Sequence, residues 1–169
     1  DVITYNSQDV ERHMEGKSER FLANISAIRD ACRARGILFI VMTQQARSMG
    51  VADVKGVTYE EEIQVTREKL QTTSSVTHQE KVMLTHKMLM DGLRTWASTE
   101  GVPLVDIINV LDHDRDVLLS WVHVNPRGNR QIAHALSEKI REEMHKKALK
   151  PGPENVGWSA TRSRPSVGR

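Results

Sequence analysis

The segment Gly36-Ile37-Leu38-Phe39-Ile40-Val41-Met42-Thr43 constrains this chain more than any other. An apolar run this short, set directly after a helix-ending glycine, reads as a strand rather than a helix. Every side chain in it needs cover, so both faces of the strand must be buried, as happens in a parallel sheet flanked by helices. The adjoining segments supply those helices. Phe21, Leu22, Ile25, Ile28, Ala31 and Cys32 recur at helical spacing and predict a helix over about residues 18–35, with Cys32 as a packed thiol. Val82, Leu89, Leu93 and Trp96, broadened by Met83, Met88 and Met90, predict a long helix over 77–99. Gly101 ends it, and Val102–Ile107 reads as a strand that tolerates Pro103 near its start. Asp1–Tyr5 reads as an earlier strand. The last helix is expected over 126–148, capped by Asn125 and opened by Pro126, with Ile132, Ala135, Leu136, Ile140 and Met144 as its buried stripe.

Strands alternating with helices pair in parallel through right-handed crossovers. The expected fold is therefore α/β, a three-layer α/β/α sandwich with a parallel, flavodoxin-like sheet spanning residues 1–149. Three strands make a small sheet for such a domain. The chain opens without an initiating Met, and it is expected to begin after one or more N-terminal strands of the complete fold. Residues 44–76 are polar and irregular apart from a short predicted helix near 59–70, the pattern of a lid, a binding loop or an insertion.

Charge says little about partners. The formal net charge is +2, but residues 150–169 alone carry Lys150, Arg162, Arg164 and Arg169 against Glu154, which leaves the rest at −1. Those last residues are rich in Pro, Gly and Ser and read as a disordered basic tail. Their only aromatic is Trp158, so nucleic-acid binding is not expected. No apolar run approaches the ~20 residues a membrane-spanning helix needs.

In open parallel sheets, ligands bind beyond the carboxyl ends of the strands. That rule selects Asn6, Ser7, Gln8 and Asp9, then Thr43, Gln44 and Gln45, then Asp106, with His123 in the loop entering the last helix. Polar groups gathered around one histidine suit acid–base work. His123 is flanked by Trp121, Val122 and Val124 and stands just ahead of a firmly capped helix, the partial burial and fixed orientation that a general base needs. Asp112-His113-Asp114-Arg115-Asp116 matches no metal-ligand spacing and reads as an acidic turn with Asp114 as a cap; no metal or other cofactor is expected.

The stretch Ser120-x-x-His123-x-x-x-x-Gly128-x-x-x-Ile132-Ala133 resembles the last block of the SGNH hydrolases, the GDSL-type esterase and lipase family, in which the histidine is the catalytic base. Phe21-x-x-Asn24-Ile25-x-x-Ile28 with the strand ending at Thr43, and Gly101–Asp106, are similar to earlier pieces of that family in the same order. The resemblance spans about residues 1–145. It implies ester hydrolysis of a small-molecule or glycan ester by a serine–histidine mechanism, with His123 as base and Gly128 as a packing glycine. The family's Gly-Asp-Ser block is absent, so the nucleophile is expected upstream. Asn6-Ser7-Gln8-Asp9 stands where the family has Gly-x-Asn-Asp, making Gln8 or Asn6 the expected oxyanion donor. Ser120 stands where the family has the acid that orients the imidazole; a hydroxyl can hold the ring but cannot offset its charge, so Asp116 is the nearest substitute acid. The rival expectation is a non-catalytic module of the same fold that binds a carbohydrate or protein partner. Ser7 as a replacement nucleophile lacks an adjacent histidine, and a nucleotide-binding reading lacks a Gly-rich phosphate loop.

Overall fold

The computed structural model describes residues 3–48 and 56–149. Their order is β1 (Thr4–Tyr5), α1 (Ser7–Met14), α2 (Lys17–Arg33), β2 (Val41–Met42), α3 (Tyr59–Thr73), β3 (Val76–Thr77), α4 (His78–Thr99), β4 (Leu104–Val105), α5 (Ile107–Leu111), a 3-10 turn at Arg115–Val117, and α6 (Pro126–Leu149). The expected tail at 150–169 and part of the 44–76 stretch lie outside the described residues. The fold is mixed α/β and mostly helical, with strands in two small sheets rather than one parallel sheet.

Three helices start at reciprocal capping boxes. Asn6 with Asp9 opens α1, Thr58 with Glu61 opens α3, and Thr77 with Glu80 opens α4; in each, the cap side chain accepts the N3 amide while the N3 carboxylate accepts the cap amide. The first box corrects the reading of Asn6–Asp9 as a loop: α1 begins there and leaves β1 only two residues long.

β1 does not join a parallel sheet. It pairs antiparallel with β3, Thr4 opposite Thr77 and Tyr5 opposite Val76. Tyr5 packs against a core of Val10, Tyr59, Ile63, Val76, Met83 and Met90, and the Lys81 ammonium lies 3.5 Å from its ring centroid. Burying Tyr5 against α4 thus outweighs extending the sheet.

The parallel pairing that does form is β2 with β4, Val41 opposite Leu104 and Met42 opposite Val105, crossed over through α3, β3 and α4. Only the end of the Ile37–Met42 run is laddered. Ile37 and Leu38 remain about half exposed, at 55% and 48%, because β2 has a strand on one side only among the described residues. The expected third strand shortens as well, since Asp106 accepts the Asn109 amide and starts α5.

Helix α2 buries no residue fully; Phe21 and Ile25 lean on Val41, Leu93, Ala97 and Val102, while Ile28 faces out and Cys32 is half-buried rather than packed. The stripe of α6 works over its first half, where Ile132, Ala135 and Leu136 pack on Val105, Ile107, Leu111 and Val117. Ile140 and Met144 are exposed, correcting the expectation of a continuous buried stripe. No helix among the described residues is long and apolar enough to cross a membrane.

Candidate functional site

The loop between the 3-10 turn and α6 is a tight hairpin. Leu118 and Val124 form an antiparallel bridge, the Leu119 amide donates to the His123 carbonyl at 2.7 Å, and the Asn125 amide donates to the Val117 carbonyl at 2.8 Å. Asn125 then caps α6 by accepting the Gly128 amide at 3.0 Å. Gly128 sits where no side chain fits: a Cβ there would lie 2.9 Å from both Val117 and Val124. This close approach of α6 to the 3-10 turn fixes the base of the hairpin.

Within the hairpin, Ser120 and His123 come together. Ser120 Oγ lies 2.6 Å from His123 Nδ1 and also accepts the His123 backbone amide at 3.2 Å. The hydroxyl therefore occupies the ring nitrogen that an orienting group would hold, and leaves Nε2 for other chemistry. Asp116, the alternative acid, is engaged elsewhere. It accepts from Arg127 at 2.6 Å, as does Asp114 at 2.8 Å, and Asp114 also accepts from Gln131. Asp114 makes no side-chain cap on the 3-10 turn, contrary to the expectation. Asp112 accepts the Tyr59 amide at 2.7 Å and the Gln45 side chain. These three carboxylates thus serve structural partners, Asp114 and Asp116 sharing Arg127, and no metal-holding cluster of His, Cys, Asp or Glu occurs among the described residues.

His123, exposed rather than partly buried as its apolar neighbours suggested, lines a cavity of 440 Å³ whose far wall is Met42 at the end of β2 and Thr43, Gln44 and Gln45 beyond it; Asn129 and Ile132 of α6 also line it. Most of the polar residues at this strand end are structural. Thr43 donates to Asp106 at 2.7 Å and accepts the Ile108 amide. Asp106 also takes a two-pronged contact from Arg94, at 3.0 Å for each prong. Burial opposes ionisation of Asp106, yet the Arg94 and Thr43 hydrogen bonds outweigh it and hold the carboxyl below its ordinary range. Gln45 is buried, donating to the Ile108 carbonyl. Gln44 stays exposed.

Asn6 and Gln8 are not brought to this cavity. Both are exposed at the start of α1, Asn6 Oδ1 serves the helix cap, and among the described residues neither is hydrogen-bonded to Ser120 or His123.

Two features at the site escape local sequence patterns. Arg47 clamps the hairpin from outside: its amide donates to the Trp121 carbonyl at 2.9 Å, its Nε to Ser120 at 3.1 Å and its Nη2 to Leu119 at 3.2 Å. Behind it, Arg115 is fully enclosed, paired with Glu62 and donating to the carbonyls of Ala46 and Val57. Glu62 in turn accepts the Ser48 amide and hydroxyl. The residues flanking the 49–55 segment are thereby tied to the 3-10 turn that carries the hairpin.

No family model, curated protein or solved structure matches this chain.

Proposed function

We propose that this chain is the C-terminal portion of an SGNH-type ester hydrolase of three-layer α/β/α architecture, with His123 as the general base. The observation that carries the reading is the Ser120 Oγ to His123 Nδ1 contact of 2.6 Å at the wall of a cavity beyond the parallel β2–β4 pair. With Nδ1–H donating to Ser120, the Nε2 lone pair takes a proton from an attacking serine. The serine oxygen bonds to the ester carbonyl carbon; the alcohol departs with the proton that His123 returns, and water releases the acid in a second round. The serine belongs to a Gly-Asp-Ser-like block directly upstream, on a strand seated along the open edge of β2. Such a strand would cover Ile37, Leu38 and Met42, which are otherwise exposed.

The test is the parent open reading frame, expressed whole and treated with a chromogenic short-chain ester and a serine-directed phosphonate. The reading expects labelling of one upstream serine and its loss in His123→Ala. It also expects Ser120→Asp to raise kcat by about tenfold or more, because a carboxylate offsets the imidazolium charge. A folded parent protein that neither labels nor hydrolyses, or that lacks an upstream serine, sinks it. Ser120 in place of a carboxylate favours, as second reading, a non-catalytic module binding a carbohydrate or protein partner, and that outcome would favour it over the hydrolase.

A further inference from the structure

The hairpin has a second face. Trp121, two residues before His123, is 44% exposed and lines a separate cavity of 420 Å³ with Arg47, His78, Gln79 and Val82. An indole left this open usually packs loosely; this one is held from beneath. Its ring meets the His86 ring edge-on, with centroids 6.2 Å apart and planes at 77°, and His86 meets Tyr59 in the same way at 5.8 Å. Tyr59 is fully buried, its hydroxyl sharing a 2.8 Å hydrogen bond with His86 Nδ1. The backbone of Trp121 is pinned as well, its carbonyl accepting the Arg47 amide. A buried stack of Tyr59 and His86 thus presents Trp121 as a fixed plate.

The chemistry around the plate is mixed. Val82 extends the apolar floor, and His78 and Gln79 stand exposed at the rim. Among the described residues, neither the polar atoms of His78 and Gln79 nor Trp121 Nε1 has a protein hydrogen-bond partner, so all three offer polar groups to a ligand. The Arg47 guanidinium is occupied with the hairpin carbonyls and forms a wall. A flat apolar plate ringed by polar donors and acceptors matches a ligand with an aliphatic face and hydroxyls at its edge.

We propose that this cavity is a saccharide subsite, in which one sugar ring stacks on Trp121 and its hydroxyls engage Gln79 and His78. Resting on the ester-hydrolase reading, it names the substrate class as a glycan ester. The Trp121 and His123 Cα atoms can be at most about 7 Å apart, so the two cavities are served by one hairpin tip.

The experiment is titration of the 169-residue chain with short xylo-, cello- and chito-oligosaccharides, followed by ligand-observed NMR and by calorimetry. Binding of at least one series is expected, weakened roughly tenfold or more in Trp121→Ala, largely kept in Trp121→Phe, and reduced severalfold in Gln79→Ala. Native-like circular dichroism of each variant separates loss of contact from loss of fold. Failure of every series to bind the folded wild type, or binding indifferent to Trp121→Ala, overturns the subsite. Phosphonate labelling of the parent protein without saccharide binding removes the substrate class while leaving the hydrolase; binding without labelling or ester cleavage removes the hydrolase and keeps the saccharide site.

Discussion

The two small sheets organise two very different neighbourhoods. Around β1 and β3 the interior is deep and includes ionic and polar groups held by specific partners: Glu62 by Arg115 and Ser48, Tyr59 by His86 and Asp112, Lys81 by the Tyr5 ring, with His86 Nε2 and Arg115 Nε left buried without a protein hydrogen bond. Around β2 and β4 the cover is thinner: aliphatic and aromatic side chains pack there beside the Thr43–Asp106–Arg94 network, and Ile28, Ile37, Leu38, Met42, Ile140 and Met144 stay on the surface. The difference teaches where conformational definition resides. Buried polar groups tolerate few alternative arrangements, because each lost partner leaves an unsatisfied group. An apolar face accepts any cover that excludes water. The His123 hairpin straddles the boundary: its clamp comes from the first neighbourhood and its cavity opens onto the second.

Breaking the first neighbourhood should have the largest effect. Arg115→Met leaves Glu62 buried without its cation, releases the Ala46 and Val57 carbonyls, and should cost about 3–5 kcal/mol, read from urea denaturation. A loss below about 1 kcal/mol would mean that the ionic cluster does not define this side.

The next effect is a pH dependence. Burial, assisted by Arg94, lowers the His86 pKa to about 4 from an ordinary 6.5, so the native state holds the ring neutral while the unfolded chain protonates it. Stability is complete above pH 6.5 and falls as pH drops from 6.5 toward 4, by up to about 3 kcal/mol. Parallel denaturation of wild type and His86→Gln across that window should show the slope in wild type and its reduction in the variant. Identical slopes would remove His86 as the source.

The smallest effect is expected on the open side. Leu38→Thr should change stability by no more than about 0.5 kcal/mol, by thermal melting. A much larger loss would show that Leu38 is covered in solution, and would erase the contrast drawn here.

Helices were legible where periodicity and capping coincide. The spans predicted for α2, α4 and α6 correspond to Lys17–Arg33, His78–Thr99 and Pro126–Leu149. Helix α1 carried its signature too, an Asn6/Asp9 box, but polar residues after a strand suggest a loop unless that spacing is weighed. Strand pairing was less legible, because a partner is chosen by distant burial: Tyr5 beside Val76 depends on α4, not on the β1 sequence. At the site, the Ser120–His123 contact was foreshadowed only by the family resemblance of the block around His123. Arg47 was not, because its targets lie more than 70 residues away.

The β2–β4 pair also sets a clock. Its register, and the Thr43–Asp106 bond beside it, join residues 63 apart in sequence. Ordering so long an intervening stretch costs entropy before the pairing returns any stability, as it does for the Thr4–Thr77 pairing, so both steps slow folding. Until β2 pairs with β4, Ile37–Met42 is an unpaired apolar segment of strong β-forming tendency, open to the same segment of another molecule. The run that most constrains the fold is thus also where folding competes with aggregation, and dilution during refolding favours the native outcome.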